Sequence, residues 1–246
     1  MNIIYDVAYG EHPRQKLDLY LPDGEGFPIM TYIHGGGIEG GRKEEMHEVA
    51  QKVAAAGIGF VSVEYRLYPD ARYPEFVEDA AAAVAWVKTH AAQYGGGDTL
   101  YVGGSSAGGY LSMMLCFDDR WLAPYGISPS DVDGWIHDAG QPTTHFNVLR
   151  ERGVDSRRVI VDEAAPLYHI GKAERYSPML FIVSDNDMEN RYEQTMLVLS
   201  TLKHFRYDMQ QVQLQVMHGT HCHYVFATDE NGRMPFADLI INYIKR

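Results

Sequence analysis

Apolar positions along the chain switch between a period of two and a period of about 3.6, and this switching lays out an order of strands and helices. Ile3 to Val7 and Lys16 to Leu21 predict two short strands forming an antiparallel edge, with turn residues between them (Gly10, Pro13) and after them (Pro22, Asp23, Gly24). Phe27 to Ile33 is a continuous apolar run, the pattern of a strand buried on both faces of a parallel sheet. Met46, Val49, Ala50, Val53 and Ala54 then trace one stripe of a helix that Gly57 terminates. Ile58 to Tyr65 reads as the next strand. Phe76, Ala80, Ala83, Val84 and Val87 trace a second helix, closed by Gly95-Gly96-Gly97.

Leu100 to Val102 opens the following unit as a strand, and small residues lead from it into a helical pattern through Tyr110, Met113, Met114 and Phe117. Val132 to Ile136 predicts a further strand. The stretch 141–176 has no clear period and is expected to be a lid insertion. Met179 to Val183 predicts a strand, Tyr192, Met196, Leu199 and Leu202 a helix, the alternating Val212, Leu214 and Val216 a strand, and Phe236, Leu239, Ile240, Tyr243 and Ile244 a closing helix. No repeat or linker interrupts this order. The expected architecture is therefore one α/β domain over residues 1–246, a mostly parallel central sheet flanked by helices.

Composition narrows the partners. The 246 residues are 46% hydrophobic, enough for one sizeable core, and 21 Lys and Arg against 33 Asp and Glu give a net charge of −12. That charge argues against nucleic acid and anionic membrane surfaces, and points to neutral or cationic rather than polyanionic substrates. Met1 to Asp6 shows no basic region followed by an apolar stretch, and no run is long enough to span a bilayer, so a cytoplasmic protein is expected. Cys116 and Cys222 are read as free thiols. A homodimer through an apolar surface edge is a further expectation, with no motif behind it.

Chemistry concentrates at the ends of the predicted strands. Gly104-Ser105-Ser106-Ala107-Gly108 matches G-x-S-x-G, a sharp strand-to-helix turn that only small neighbours tolerate, and marks Ser106 as the candidate nucleophile. Ser105 fails the same test because position 107 is alanine. Asp185 and Asp187 follow the Met179 to Val183 strand. His218, His221 and His223 crowd the loop after the last strand. Those histidines with Cys222 could also form a metal donor set, but no second ligand cluster completes it, so no metal is expected.

Five ordered motifs give this pattern a family likeness. Lys16-Leu17-Asp18-Leu19-Tyr20-Leu21-Pro22, His34-Gly35-Gly36-Gly37, Tyr65-Arg66-Leu67-x-Pro69, Tyr73-Pro74 leading to Asp79 and Trp86, and Gly104-x-Ser106-Ala107-Gly108-Gly109 resemble the hormone-sensitive-lipase-like esterases and related carboxylesterases of the α/β-hydrolase superfamily. The resemblance covers nearly the whole chain. It implies Ser106 as nucleophile and the amides of Gly36, Gly37 and Ala107 as an oxyanion hole. It also implies an acid at Asp187, three residues beyond the small Ser184, with Asp185 as runner-up. His221, two residues beyond Gly219, is the implied base, with His223 as its competitor. His34 is expected to anchor the glycine loop, and Arg66 to pair internally. His137, Asp138 and His145 are read as surface or hydrogen-bonded core groups, with pocket lining as the alternative.

The resemblance therefore implies a serine hydrolase with no cofactor, acting on a small-molecule ester by an acyl-enzyme route. Little sequence precedes the first strand, so the N-terminal cap of larger family members is expected to be reduced. Short acyl groups, and acetylated carbohydrate among the alcohols, are the expected substrates. An arylformamidase-like or peptidase-like amidase and a noncatalytic ligand-binding homologue are the alternatives, although Ile38 breaks the arylformamidase H-G-G-x-W pattern.

Overall fold

The computed structural model covers residues 1–246 and contains one eight-stranded sheet. Its strands are β1 (Asn2–Ala8), β2 (Lys16–Leu21), β3 (Phe27–Ile33), β4 (Gly59–Val63), β5 (Gly96–Ser105), β6 (Gly134–Asp138), β7 (Met179–Asn186) and β8 (Val212–Thr220). They lie in the order β1-β2-β4-β3-β5-β6-β7-β8. β1 and β2 pair antiparallel at one edge, β2 also runs antiparallel to β4, and every later pairing is parallel. The helices are α1 (His47–Ala55), α2 (Glu75–His90), α3 (Ala107–Phe117), the short α4 (Phe146–Glu151) and α5 (Pro166–His169), α6 (Arg191–His204) and α7 (Pro235–Ile244).

The period of two along β3 explains the layering. Met30 and Tyr32 point to one face and join α1 and α7 in a core with Phe60, Ile136, Leu180 and Phe236. Ile29 and Ile33 point to the other and join α2, α3 and α6 in the larger core around Val102, Tyr110 and Trp135. Both faces are covered, which is why the central strands read as unbroken apolar runs. No helix is long and apolar enough to cross a membrane.

Three elements differ from the sequence expectation. β6 begins two residues later than predicted, so His137 and Asp138 lie inside a strand with Asp138 opposite Ser105, both positions buried. On α6 the inward side is Arg191, Thr195, Val198 and Leu202, while Tyr192 and Met196 of the predicted stripe are exposed. Two polar residues occupy its buried face, which hides the true period. Leu214 and Val216 are also exposed, because β8 is an edge strand with one face open.

Segment 139–176 runs from the end of β6 to β7 across the carboxyl ends of the strands. It is tied down by Tyr110 donating to the Ala164 carbonyl (2.9 Å) and by Tyr73 N–H donating to Glu151 (3.1 Å), and it is braced internally by Asp162, which accepts from Thr144 (2.9 Å) and Arg152 (2.7 Å).

The tightest packing is at the elbow. A Cβ on Gly108 would land on the Ile33 carbonyl oxygen, and one on Gly104 would sit 2.7 Å from the Gly108 carbonyl carbon. Both obstacles are backbone and cannot turn aside. Gly104→Ala or Gly108→Ala is expected to lower unfolding free energy by at least about 3 kcal/mol. Gly24→Ala, at φ +94 but in open space, is expected to cost about 1–2 kcal/mol. Chemical denaturation midpoints rank the three, and equal losses would show that the close approach at the elbow costs no more than a strained backbone in open space.

Candidate active site

Ser106 sits between β5 and α3 with φ 55 and ψ −112, a conformation that L side chains avoid. It is held there from both sides: its N–H donates to the Asp138 carbonyl (2.8 Å), and its carbonyl accepts from Tyr110 (3.0 Å), the first bond of α3. The strain lifts the side chain clear of the sheet at the start of a helix.

The Ser106 hydroxyl is 2.9 Å from His221 Nε2, and His221 Nδ1 is 2.5 Å from Asp187 Oδ1. An ionised carboxylate can only accept, so Nδ1 carries the proton and Nε2 is free to accept from the serine. Asp187 is set by its own loop: Oδ2 accepts from Ser184 N–H (3.1 Å) and Oδ1 from Met188 N–H (2.7 Å). Burial pushes its carboxyl up, but the hydrogen bonds from His221 and the two amides outweigh this and hold it below the usual range.

The competing residues lie elsewhere. Asp185 pairs with His218, which is in β8 rather than in the following loop and is exposed; His223 is exposed and makes no hydrogen bond. His218, His221 and His223 thus face different partners, and no group of three His, Cys, Asp or Glu side chains is arranged to hold a metal ion.

Gly36 and Gly37, at φ 106 and 65, carry the loop after β3 past Ser106, and neither amide donates to a carbonyl of the chain. The Ala107 amide, first in α3, has no partner within its helix. Three N–H groups are thereby left unspent beside the serine. The loop is braced from behind. His34 bonds the Gly35 carbonyl (2.7 Å) and Glu64 (3.3 Å), stacks on Tyr65 at 4.5 Å, and its carbonyl accepts from the Tyr65 hydroxyl (3.1 Å). Arg66 is locked on Asp79 through Nη2 (2.7 Å) and Nε (2.9 Å).

A cleft of about 340 Å³ opens over Ser106 and His221, walled by Tyr32, Met46, Phe146, Val225 and Phe226. Beneath it lies a group the motifs do not mark. Asp138, wholly buried, accepts from the Ser105 and Tyr224 hydroxyls, and because the single Ser105 proton goes to that carboxylate, Tyr32 donates to Ser105. Burial drives the Asp138 carboxyl up to about 7, against the opposing pull of the Ser105 and Tyr224 hydrogen bonds and the nearby His221. Its only sequence signal is a polar pair at the end of a buried strand adjacent to the elbow. His145, also buried, accepts from Asn147 N–H (3.2 Å) and packs on Tyr110, as a core group.

A mostly parallel sheet of this order, with a serine on a strand-to-helix elbow facing a histidine after the last strand, defines an α/β-hydrolase. The sequence profile of the prolyl oligopeptidase family matches residues 73–245, well over half of the chain, and the chain belongs to that family. A second profile, BD-FAE, matches residues 17–121. Among curated relatives, the chain is 36% identical over 109 residues to a probable isoprenylcysteine alpha-carbonyl methylesterase of Oryza sativa, covering 43% of this chain and 26% of that protein. It is 37% identical over 132 residues to the carboxylic ester hydrolase LipN of Mycobacterium tuberculosis, covering 52% and 34%. The matched region thus spans a quarter to a third of the length of these relatives. A propionate-bound esterase of Thermogutta terrifontis superposes with a TM-score of 0.78 over 98% of this chain and 93% of that one, at 21% identity, and shares the fold. These likenesses agree with the esterase resemblance carried by the motifs.

The raised carboxyl of Asp138 has a definite signature in stability. Its folded value near 7 lies above the unfolded value near 4, so the stabilising contribution of its proton is complete at low pH and disappears as pH rises through about 7. The difference in melting temperature between Asp138→Asn and the native protein is therefore expected to shift in favour of the variant between about pH 4 and 7, and to be flat above that. A difference independent of pH, measured by calorimetry, would show that Asp138 is ionised throughout.

Proposed function

We propose that the protein is a serine esterase for short-chain carboxylic esters. The observation that carries this reading is the hydrogen-bonded line Ser106–His221–Asp187 at the mouth of a cleft whose glycine-loop amides are unpaired. Ser106 Oγ attacks the ester carbonyl carbon while His221 Nε2 takes its proton, and the charge developing on oxygen is met by the amides of Gly36, Gly37 and Ala107. Preset donors of this kind are worth roughly 3 to 4 kcal/mol each. The leaving alcohol then takes the proton from His221. Water, deprotonated by the same nitrogen, attacks the acyl carbonyl carbon; the bond to Ser106 Oγ breaks, the serine takes that proton back from His221, and the carboxylic acid is released. Asp187 keeps His221 in the tautomer this sequence needs.

The cleft of about 340 Å³ supports a preference for acyl groups from acetyl to butyryl, as does the propionate in the Thermogutta esterase. Acetylated carbohydrate is one natural ester of that size. Membership of the prolyl oligopeptidase family favours a second reading, cleavage of an amide by the same three residues.

A nitrophenyl ester series from acetyl to decanoyl separates these readings. kcat/KM is expected to be highest between acetyl and butyryl, and Ser106→Ala and His221→Ala to lower kcat at least about 1,000-fold. His223→Ala and Asp185→Asn are expected to stay within about threefold of the native enzyme. Higher kcat/KM for decanoyl than for acetyl would overturn the short-chain assignment. No ester turnover together with cleavage of peptide or formamide nitroanilides would move the protein to the amidase reading.

A further inference from the structure

A second cleft, of about 540 Å³, adjoins the one over Ser106, and Phe146 and Met188 form the wall common to both. Its lining does not resemble the rest of the molecule. In a chain of net charge −12, it presents Arg150, Arg157, Arg158 and Arg191 against a single acid, Glu189.

Two of these arginines are neutralised within the chain, Arg150 by Glu39 and Arg157 by Asp155 (2.6 Å). Arg158 is exposed and has no carboxylate partner. Arg191 is more unusual. It is 5% exposed, and the only hydrogen bond of its guanidinium is from Nη1 to the Ala139 carbonyl (2.6 Å). A guanidinium carries five N–H groups, and a buried cation without an anion is costly to fold around. The acid whose field reaches it, Asp187, is committed to His221. One planar, donor-rich cation thus lines a cleft that shares the Phe146 ring with the cleft over the candidate nucleophile.

We infer that this cleft binds a carboxylate carried by the substrate, so that the protein selects small anionic esters. This rests on the esterase reading and deepens it. Arg191 supplies the fixed fork, for which carboxylate is the matching planar acceptor, and Arg158 the mobile second charge. Arg191 is held in place by Ala139, immediately beyond Asp138, so the strand that supports the nucleophile also aims the anion site. The carboxylate belongs to the acyl limb in a half-ester of a dicarboxylic acid, or to the alcohol limb in an acylated hydroxy acid. The chemistry recognised is the same for both.

Two matched pairs distinguish the limbs: mono-(4-nitrophenyl) glutarate against 4-nitrophenyl valerate, and 4-acetoxybenzoate against 4-acetoxybenzamide. Each kcat/KM is divided by the rate of base hydrolysis of the same ester. The anionic member of one pair is expected to exceed its neutral partner about tenfold or more. That ratio is expected to fall at least about fivefold in Arg158→Gln, in Arg191→Lys, which keeps the charge but loses the fork, and in the native enzyme in about 0.5 M NaCl. Ratios at or below one in both pairs, with the neutral esters hydrolysed, overturn the anion site and leave the esterase reading standing. A high ratio that neither arginine variant reduces also overturns it. Failure to hydrolyse any of the four esters overturns both.

Discussion

The site depends on one close approach. For Ser106 to leave the sheet at φ 55 and enter α3 at once, the first turn of that helix must lie against the end of β3, so near that Gly108 has no room for a Cβ beside the Ile33 carbonyl. The same contact brings the elbow against the loop that leaves β3, whose glycines carry unpaired amides past the serine. Ser106 and these unpaired amides are thus fixed relative to each other by backbone packing. Side-chain rotamers contribute little to that part of the geometry, and backbone is the stiffer support.

Below this contact the polar interior is as consequential as the apolar core. Asp138 holds the elbow twice, through its carbonyl to Ser106 N–H and through its carboxyl to Ser105, and Tyr32 and Tyr224 complete the cluster from β3 and from the segment after β8. Elements from distant parts of the chain therefore meet at one buried carboxyl. Such a network is stable only if every member is satisfied, which ties the local order of the elbow to the correct docking of the C-terminal segment.

Much of this was legible in the sequence where chemistry and backbone demand coincide. The G-x-S-x-G and H-G-G-G segments announce themselves because only small residues tolerate those conformations, and the unbroken apolar runs of β3 and β7 reflect burial on both faces. The remainder was hidden because buried polar residues interrupt the hydrophobic period. His137 and Asp138 made β6 look as if it ended early, and Arg191 and Thr195 on the inward side of α6 made its exposed Tyr192 and Met196 look like the core face. The ambiguity among His218, His221 and His223 has another origin. In an edge strand running into a loop, spacing alone does not say which side chain turns toward a serine more than a hundred positions earlier, and only the register of β7 with β8 resolves it.

That separation shapes how the protein comes into being. The glycine loop, Ser106, Asp187 and His221 occur in this order along the chain, and Ser106 and His221 are 115 positions apart. In a chain made from its N-terminus, the glycine loop and the elbow sequence exist well before the residue that pairs with the serine hydroxyl has been synthesised. Closing that loop is among the most non-local steps of folding and belongs to its late stages. The Ser106 hydroxyl therefore meets its histidine partner only when β8 docks on β7.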